Sequence, residues 1–278
     1  MSSTVPQELI ALLESFAARA PLPRVRTLHL PPASAAGSKD GEFCALELAD
    51  GSIGLSYVLL ADTLHQLIAG AAGALSGADP LRLARDFAEQ SGARRAAGFA
   101  AVNALTRCLF DRAGYTPALD VDSIGSLEPQ AGDHVGMIGF FRPLVGRFVD
   151  AGARLTVAEL NPEFAGDFDG YRVTLDPAEL AGCNKVLSTS TVLLNDTLDD
   201  MLGHCRGATR FVMVGPGAGC LPDPLFARGV TLLGGAWITD GPELIERVRA
   251  GAKWSEATRK SAIQRDGYPG IAALLQRV

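Results

Sequence analysis

Apolar and polar positions follow different periods in the two parts of this chain. In residues 6–19, Leu9, Leu12, Leu13 and Phe16 recur at helical spacing and predict an amphipathic helix. Pro21 and Pro23 mark a turn, after which residues 25–30 alternate as a strand does. Residues 31–40, rich in Pro, Ala, Ser and Gly, predict a loop. Two β-rich runs, 43–48 and 53–60, flank Asp50-Gly51, the strongest short-range hairpin signal. From 62 to 113 the pattern is helical, with Asp79 as an N-cap ahead of Pro80. A helix over 94–110 sets Phe99, Val102, Leu105 and Leu109 on one face, with Asn103 one residue off it. This part predicts a small α+β domain, a helix plus an antiparallel sheet.

From Asp133 strands and helices alternate. Residues 134–139 form a near-continuous apolar run, as expected of a strand buried on both faces. A helix through Leu144, Val145 and Phe148 leads to a second strand over 154–160. A third strand over 185–188 precedes a helix carrying Leu198, Met201 and Leu202. Strands over 210–214 and 230–236 and a helix over 242–250 follow, and residues 254–278 predict one or two closing helices. Short links between alternating elements indicate a parallel, doubly wound sheet, so the fold class is α/β.

Composition narrows the function classes. Of 278 residues, 47% are hydrophobic and 20% charged, which excludes disorder over most of the length. A net charge of −6 and a pI near 5.3 leave no basic surplus for a general nucleic-acid binder. Glu8 and Glu14 interrupt the first apolar stretch, so no signal peptide is expected. The most apolar early window, 67–75, is too short for a bilayer span of about 20 residues. No membrane association and a cytoplasmic location follow as expectations. Cys44, Cys108, Cys183, Cys205 and Cys220 are odd in number and nowhere paired at C-x-x-C spacing, which excludes a structural zinc site and disfavours a disulfide framework.

In open α/β sheets ligands bind beyond the carboxyl ends of the strands, and residues there are the candidates. After strand one stand Gly139 and Phe140, but only Gly136 and Gly139 are available against the G-x-G-x-x-G fingerprint. Glu159 closes strand two at the distance where an acid holds a ribose hydroxyl, or it is an ordinary solvated strand end. After strand three come Ser188, Thr189, Ser190 and Thr191, then Asn195 and Thr197. These hydroxyls lead into a helix N-terminus that favours anions, or else they simply cap it. After strand four, Gly215, Pro216 and Gly217 let the backbone approach a ligand closely. Cys220 behind them could be a soft ligand or a nucleophile, although a lone cysteine more often serves as a small apolar side chain. His29, His65, His134 and His204 are scattered, and no catalytic triad can be assigned.

These segments resemble a bacterial and archaeal family of unknown function named for heavy-metal chelation. The likeness rests on Gly98-Phe-Ala-Ala-Val-Asn103, Val135-Gly-Met-Ile-Gly139, Ser188-Thr-Ser-Thr191, Leu194-Asn195-Asp-Thr197 and Val214-Gly-Pro-Gly217 with Leu221-Pro222. Leu225-Phe226-Ala-Arg-Gly229-Val230 and Thr239-Asp240 continue it, so that it covers about residues 93–249. The resemblance implies a Rossmann-like domain over 93–278 behind an enolase-N-terminal-like domain over 1–92, a homodimer, and a site in the interdomain cleft. It places Asn103, Thr189, Thr191, Asn195, Thr197, Gly215 and Pro216 in that cleft. The family's T-G-T reads Thr189-Ser190-Thr191 here, and Asp196 stands where a small residue is usual. The expected ligand is a small anion or a metal–ligand complex, with a metal ion or its complex as the implied cofactor. The other reading is a nucleotide- or S-adenosylmethionine-dependent enzyme that uses Glu159. Clustered thiolates or imidazoles, which soft metals prefer, are not visible in the pattern. Cys183, Cys205 and His134 should sit toward the opposite edge of the sheet. Limited proteolysis should cut within residues 31–40 or 119–132 before either core, and rapid cutting inside 135–160 would contradict the sheet.

Overall fold

The computed structural model describes residues 3–70, 75–195 and 197–278. The chain begins with helix α1 (Val5–Ala17), closed at its start by a capping box between Thr4 and Gln7. Strands β1 (Val25–His29), β2 (Phe43–Leu48) and β3 (Ile53–Tyr57) form an antiparallel meander. The expected hairpin is present, with Gly51 at φ +89°. Helices α2 (Thr63–Ala69), α3 (Pro80–Glu89) and α4 (Gly92–Arg112) follow, and Asp79 caps α3 by accepting from Leu81 N and Arg82 N. Part of the apolar window 67–75 lies outside the described residues.

The rest of the chain builds a nine-stranded sheet. Its elements are β4 (Ala118–Leu119), β5 (His134–Ile138), α5 (Val145–Asp150), β6 (Arg154–Ala158), β7 (Gly166–Phe168), β8 (Tyr171–Thr174) and β9 (Lys185–Thr189). They continue with α6 (Leu198–His204), β10 (Arg210–Val214), α7 (Asp223–Phe226), β11 (Leu232–Ile238), α8 (Gly241–Ala250), β12 (Thr258–Gln264) and α9 (Ile271–Leu275). The strand order is β4-β12-β11-β10-β9-β5-β6-β8-β7. All five expected parallel strands are present, and β8 adds a sixth beside β6. The fold is α/β, a large, mostly parallel sheet with a separate small antiparallel one.

Two expectations need correction. Residues 254–278 are not purely helical, because residues 258–264 form β12, antiparallel to β11 from Leu232↔Gln264 to Ile238↔Thr258. The run Thr-Arg-Lys-Ser-Ala-Ile-Gln shows no clean alternation, yet Ser261, Ala262 and Ile263 are buried where β11 offers an unpaired edge. The β7–β8 hairpin was also not foreseen. Its turn is Asp169-Gly170, the same pair that marks the first hairpin, but its strands hold only three and four residues.

The two sheets meet across α4, which is buried without interruption from Ala96 to Thr106. Alanines there let β3 approach the helix backbone closely. A Cβ on Gly54 would stand 2.2 Å from Ala100 O and Ala104 N, so only glycine fits. One apolar cluster runs from Val5 through Leu46 and Ala100 to Met213 and Ile263, across both sheets. A second, with Val135, Met137, Phe148, Leu155 and Leu187, fills the far face of the large sheet. Arg228, just past α7, ties α1 to this body by donating to both Glu8 carboxylate oxygens at 2.9 and 3.0 Å, which holds that carboxyl below its usual pKa. Gly54→Ala should lower unfolding free energy by about 1–3 kcal/mol, the usual cost of overpacking, as read by urea denaturation.

Candidate functional site

The strand order reverses between β5 and β9: from β5 the chain moves to β6 and β8, then returns to the other side of β5. A doubly wound sheet opens its crevice at such a point. There Gly139 takes φ +83°, and a Cβ on it would come within 2.9 Å of Thr189 Cγ2. Thr189 Oγ1 accepts from Thr191 N at 3.2 Å and lies 3.0 Å from Thr191 Oγ1, capping the 3-10 turn Ser190–Leu193. Ser190 is buried against Gly215, where a Cβ would overlap its hydroxyl. Ser188 is fully buried and donates to Thr189 O at 3.1 Å. Gly139, Thr189, Ser190, Gly215 and Gly217 thus form one continuous rim. Asn195 and Thr197 pair with each other at the head of α6, with Asn195 Oδ1 accepting from Thr197 N and Oγ1 at 3.1 and 2.6 Å. Asp196 lies outside the described residues.

Glu159 faces the same rim from the end of β6. Its carboxylate accepts from Phe140 N at 3.0 Å, Leu160 N at 2.7 Å and Asn161 N at 3.1 Å. It therefore ties the loop after β6 to the loop after β5. Phe140 turns to an aromatic group beside it, with Arg142 over Phe140 and Phe164 at 5.1 and 4.4 Å.

At the seam between the sheets stands Asn103, 3% exposed. Its Nδ2 donates to Leu55 O of β3 at 2.7 Å and to Gly217 O of the loop after β10 at 3.0 Å. Two carbonyl acceptors fix the amide's orientation, because a flipped amide would set its oxygen against both. Oδ1 is buried, and among the described residues it has no hydrogen-bond partner. A cavity of about 40 Å3 opens there, lined by Asn103 and Arg107 of α4, Pro216 and Gly219, Trp237 of β11 and Ser261 of β12. Arg107 lies 4.0 Å over the Trp237 ring and donates to Ile238 O at 3.0 Å. Of the residues expected in the cleft, this cavity gathers Asn103 and Pro216. Arg107 was missed, although it stands four residues beyond Asn103 on the same helix face; Ser261 was hidden by the misread β12.

The donor set does not suit a bare soft metal. All five cysteines are buried. Burial pushes the thiols of Cys44, Cys108, Cys205 and Cys220 up to about 12 and that of Cys183 up to about 11. A thiolate, not a thiol, ligates metal. The histidines are engaged separately: His29 with Glu47, His65 with Asp62, His134 with Arg154 and Thr156, and His204 with Asp200. Among the described residues no three His, Cys, Asp or Glu side chains gather to hold an ion. Nor, among them, is any helix long and apolar enough to cross a membrane.

Residues 122–265, just over half of the chain, match the model of a family, DUF364, described as "Putative heavy-metal chelation". The chain belongs to the DUF364 family. Two solved DUF364 proteins of unknown function share its fold. One, from Desulfitobacterium hafniense, aligns with a TM-score of 0.71 at 20% identity, over 93% of this chain and 100% of that one. The other, from Pyrococcus horikoshii, aligns with a TM-score of 0.64 at 17% identity, over 92% and 99%. No curated protein matches the chain. With its thiols protonated and buried, this DUF364 protein should leave all five unreactive toward a bulky aromatic disulfide reagent at pH 8. All five should react once the chain is unfolded, as absorbance of the released thiolate reports.

Proposed function

We propose that this DUF364 protein binds a small polar ligand, a metal–ligand complex or small anion, in the cleft between α4 and the carboxyl ends of the large sheet. The observation that carries this reading is Asn103 Oδ1, a buried acceptor without a donor, beside a cavity of about 40 Å3. Leaving such a group unsatisfied costs about 1–3 kcal/mol, which a ligand N–H or O–H would recover. That volume holds about one to three water-sized groups, so the ligand inserts only a donor-bearing arm. In this reading Thr189, Thr191, Asn195, Thr197 and the backbone of Gly215 and Gly217 hold the remainder at the switch point. The guanidinium of Arg107, which also pairs with Asp111 at 2.8 Å, brings N–H donors to the seam. A metal arrives coordinated mainly by its small molecule, because the protein's thiols stay protonated. The protein acts in the cytoplasm, in metal or cofactor metabolism, as a homodimer of two-domain chains divided near residue 92.

Isothermal titration of the full chain with zinc citrate, zinc chloride, NAD and S-adenosylmethionine tests this. Zinc citrate should bind, Asn195→Ala should weaken it by about 1–3 kcal/mol, and Cys220→Ser should leave it unchanged. Tight binding of bare zinc that is lost in Cys220→Ser would restore direct chelation. Binding of NAD or S-adenosylmethionine that is abolished by Glu159→Ala would replace the reading with that of a cofactor-dependent enzyme.

A further inference from the structure

The opposite rim of the large sheet carries a separate polar arrangement. Between the end of α5 and the β7–β8 hairpin runs an open groove of about 780 Å3, lined by His134, Arg154, Thr156, Phe168, Tyr171 and Arg172 among others. Arg154 Nη2 donates to His134 Nδ1 at 2.6 Å, and His134 Nε2 lies 2.8 Å from Thr156 Oγ1. A guanidinium only donates, so Nδ1 is the bare nitrogen and Nε2 carries the proton that Thr156 Oγ1 accepts. Burial, and then the Arg154 charge, hold the His134 pKa below its ordinary value, in keeping with a neutral ring. With its oxygen accepting from the ring, Thr156 keeps its own hydroxyl proton to give.

Charge in the groove is unevenly matched. Arg172 pairs with Asp167 at 3.1 Å and Glu179 at 2.8 Å. Among the described residues Arg154 pairs with no carboxylate, and its hydrogen-bond partner is the neutral imidazole. The remaining guanidinium N–H groups and the Thr156 O–H are therefore the donors on offer, joined through one ring. Beside them Phe168 and Tyr171 stack at 4.8 Å between centroids and 9° between planes. Phe168 is 47% exposed, one of the few large apolar side chains left in water. A cation held without a counter-ion next to an exposed aromatic pair suits a ligand that joins an anionic group to a flat ring.

We propose that this groove is a second ligand site, taking a nucleoside monophosphate with its phosphate on Arg154 and Thr156 and its base against Phe168 and Tyr171. The site stands apart from the switch-point cleft and does not depend on what that cleft binds. Calorimetric titration of the full chain with AMP, and with inorganic phosphate in parallel, tests it. AMP should bind more tightly than phosphate. Arg154→Gln should weaken AMP at least tenfold and Thr156→Val severalfold, while Phe168→Ala should weaken AMP but not phosphate. Asn195→Ala, in the other cleft, should leave AMP binding unchanged. Arg154 is exposed, and an unaltered melting curve by circular dichroism would show that Arg154→Gln folds. No binding of AMP at millimolar concentration, equal affinity for AMP and phosphate, or full affinity in a folded Arg154→Gln variant would each overturn the proposal.

Discussion

The burial of α4 between two sheets is the constraint on which the rest of this structure depends. A helix that is apolar on one stripe can sit at a surface, but one buried continuously from Ala96 to Thr106 must be covered on several sides. Here α3 meets it at Gly98, β3 meets it on another side at Ala100 and Ala104, and the glycine-rich loop of the large sheet reaches it at Asn103. Small side chains make that possible. Ala100 and Ala104 present bare backbone to Gly54, and Gly98 meets α3 so closely that a Cβ would stand 2.5 Å from Phe87 N. Because the two sheets share this helix, their relative placement is set by packing and not by a linker.

Asn103 sits in the middle of that packing, and its position explains why a polar side chain is tolerated there. Its amide donates across both sides of the seam, to Leu55 O and Gly217 O, and so joins the small sheet to the glycine-rich loop of the large one. The same two bonds fix Oδ1 where no donor among the described residues reaches it. On the neighbouring rim the polar groups are largely satisfied locally, with Thr189 capping its turn, Asn195 holding Thr197 and Glu159 holding three backbone amides. The family's name speaks of heavy metals, but in this member all five thiols are buried, and burial raises the pKa of each.

The legibility of the fold varied with the length of each element and the cleanness of its period. The five long apolar strands, the capped α3 and the Asp50-Gly51 hairpin could all be read because local propensity and tertiary role agree there. The Asp169-Gly170 hairpin carries the same turn signal, but three- and four-residue flanks are too short to show a period. In β12, two exposed cations precede three buried residues, a pattern that fits neither a helix nor an alternating strand. Losing β12 also meant losing Ser261 as a neighbour of the cavity. Arg107 was overlooked for a different reason: on a helix buried nearly all round, one arginine reads as an end charge unless Trp237 and Ile238 O are known to lie beneath it.

By itself the sequence determined the fold class, the chain positions of five parallel strands and the residues at their carboxyl ends, because each follows from hydrophobic period and turn chemistry over a few neighbouring positions. It also determined that the thiols are scattered. Only the tertiary structure decided which of those residues meet. That α4 would lie under β3, that Asn103 would face a cavity with Arg107 while Asn195 turned to Thr197, and that Arg154, His134 and Thr156 would join at the far rim depend on contacts between elements remote in the chain. No local period encodes such contacts, since they follow from how whole faces pack.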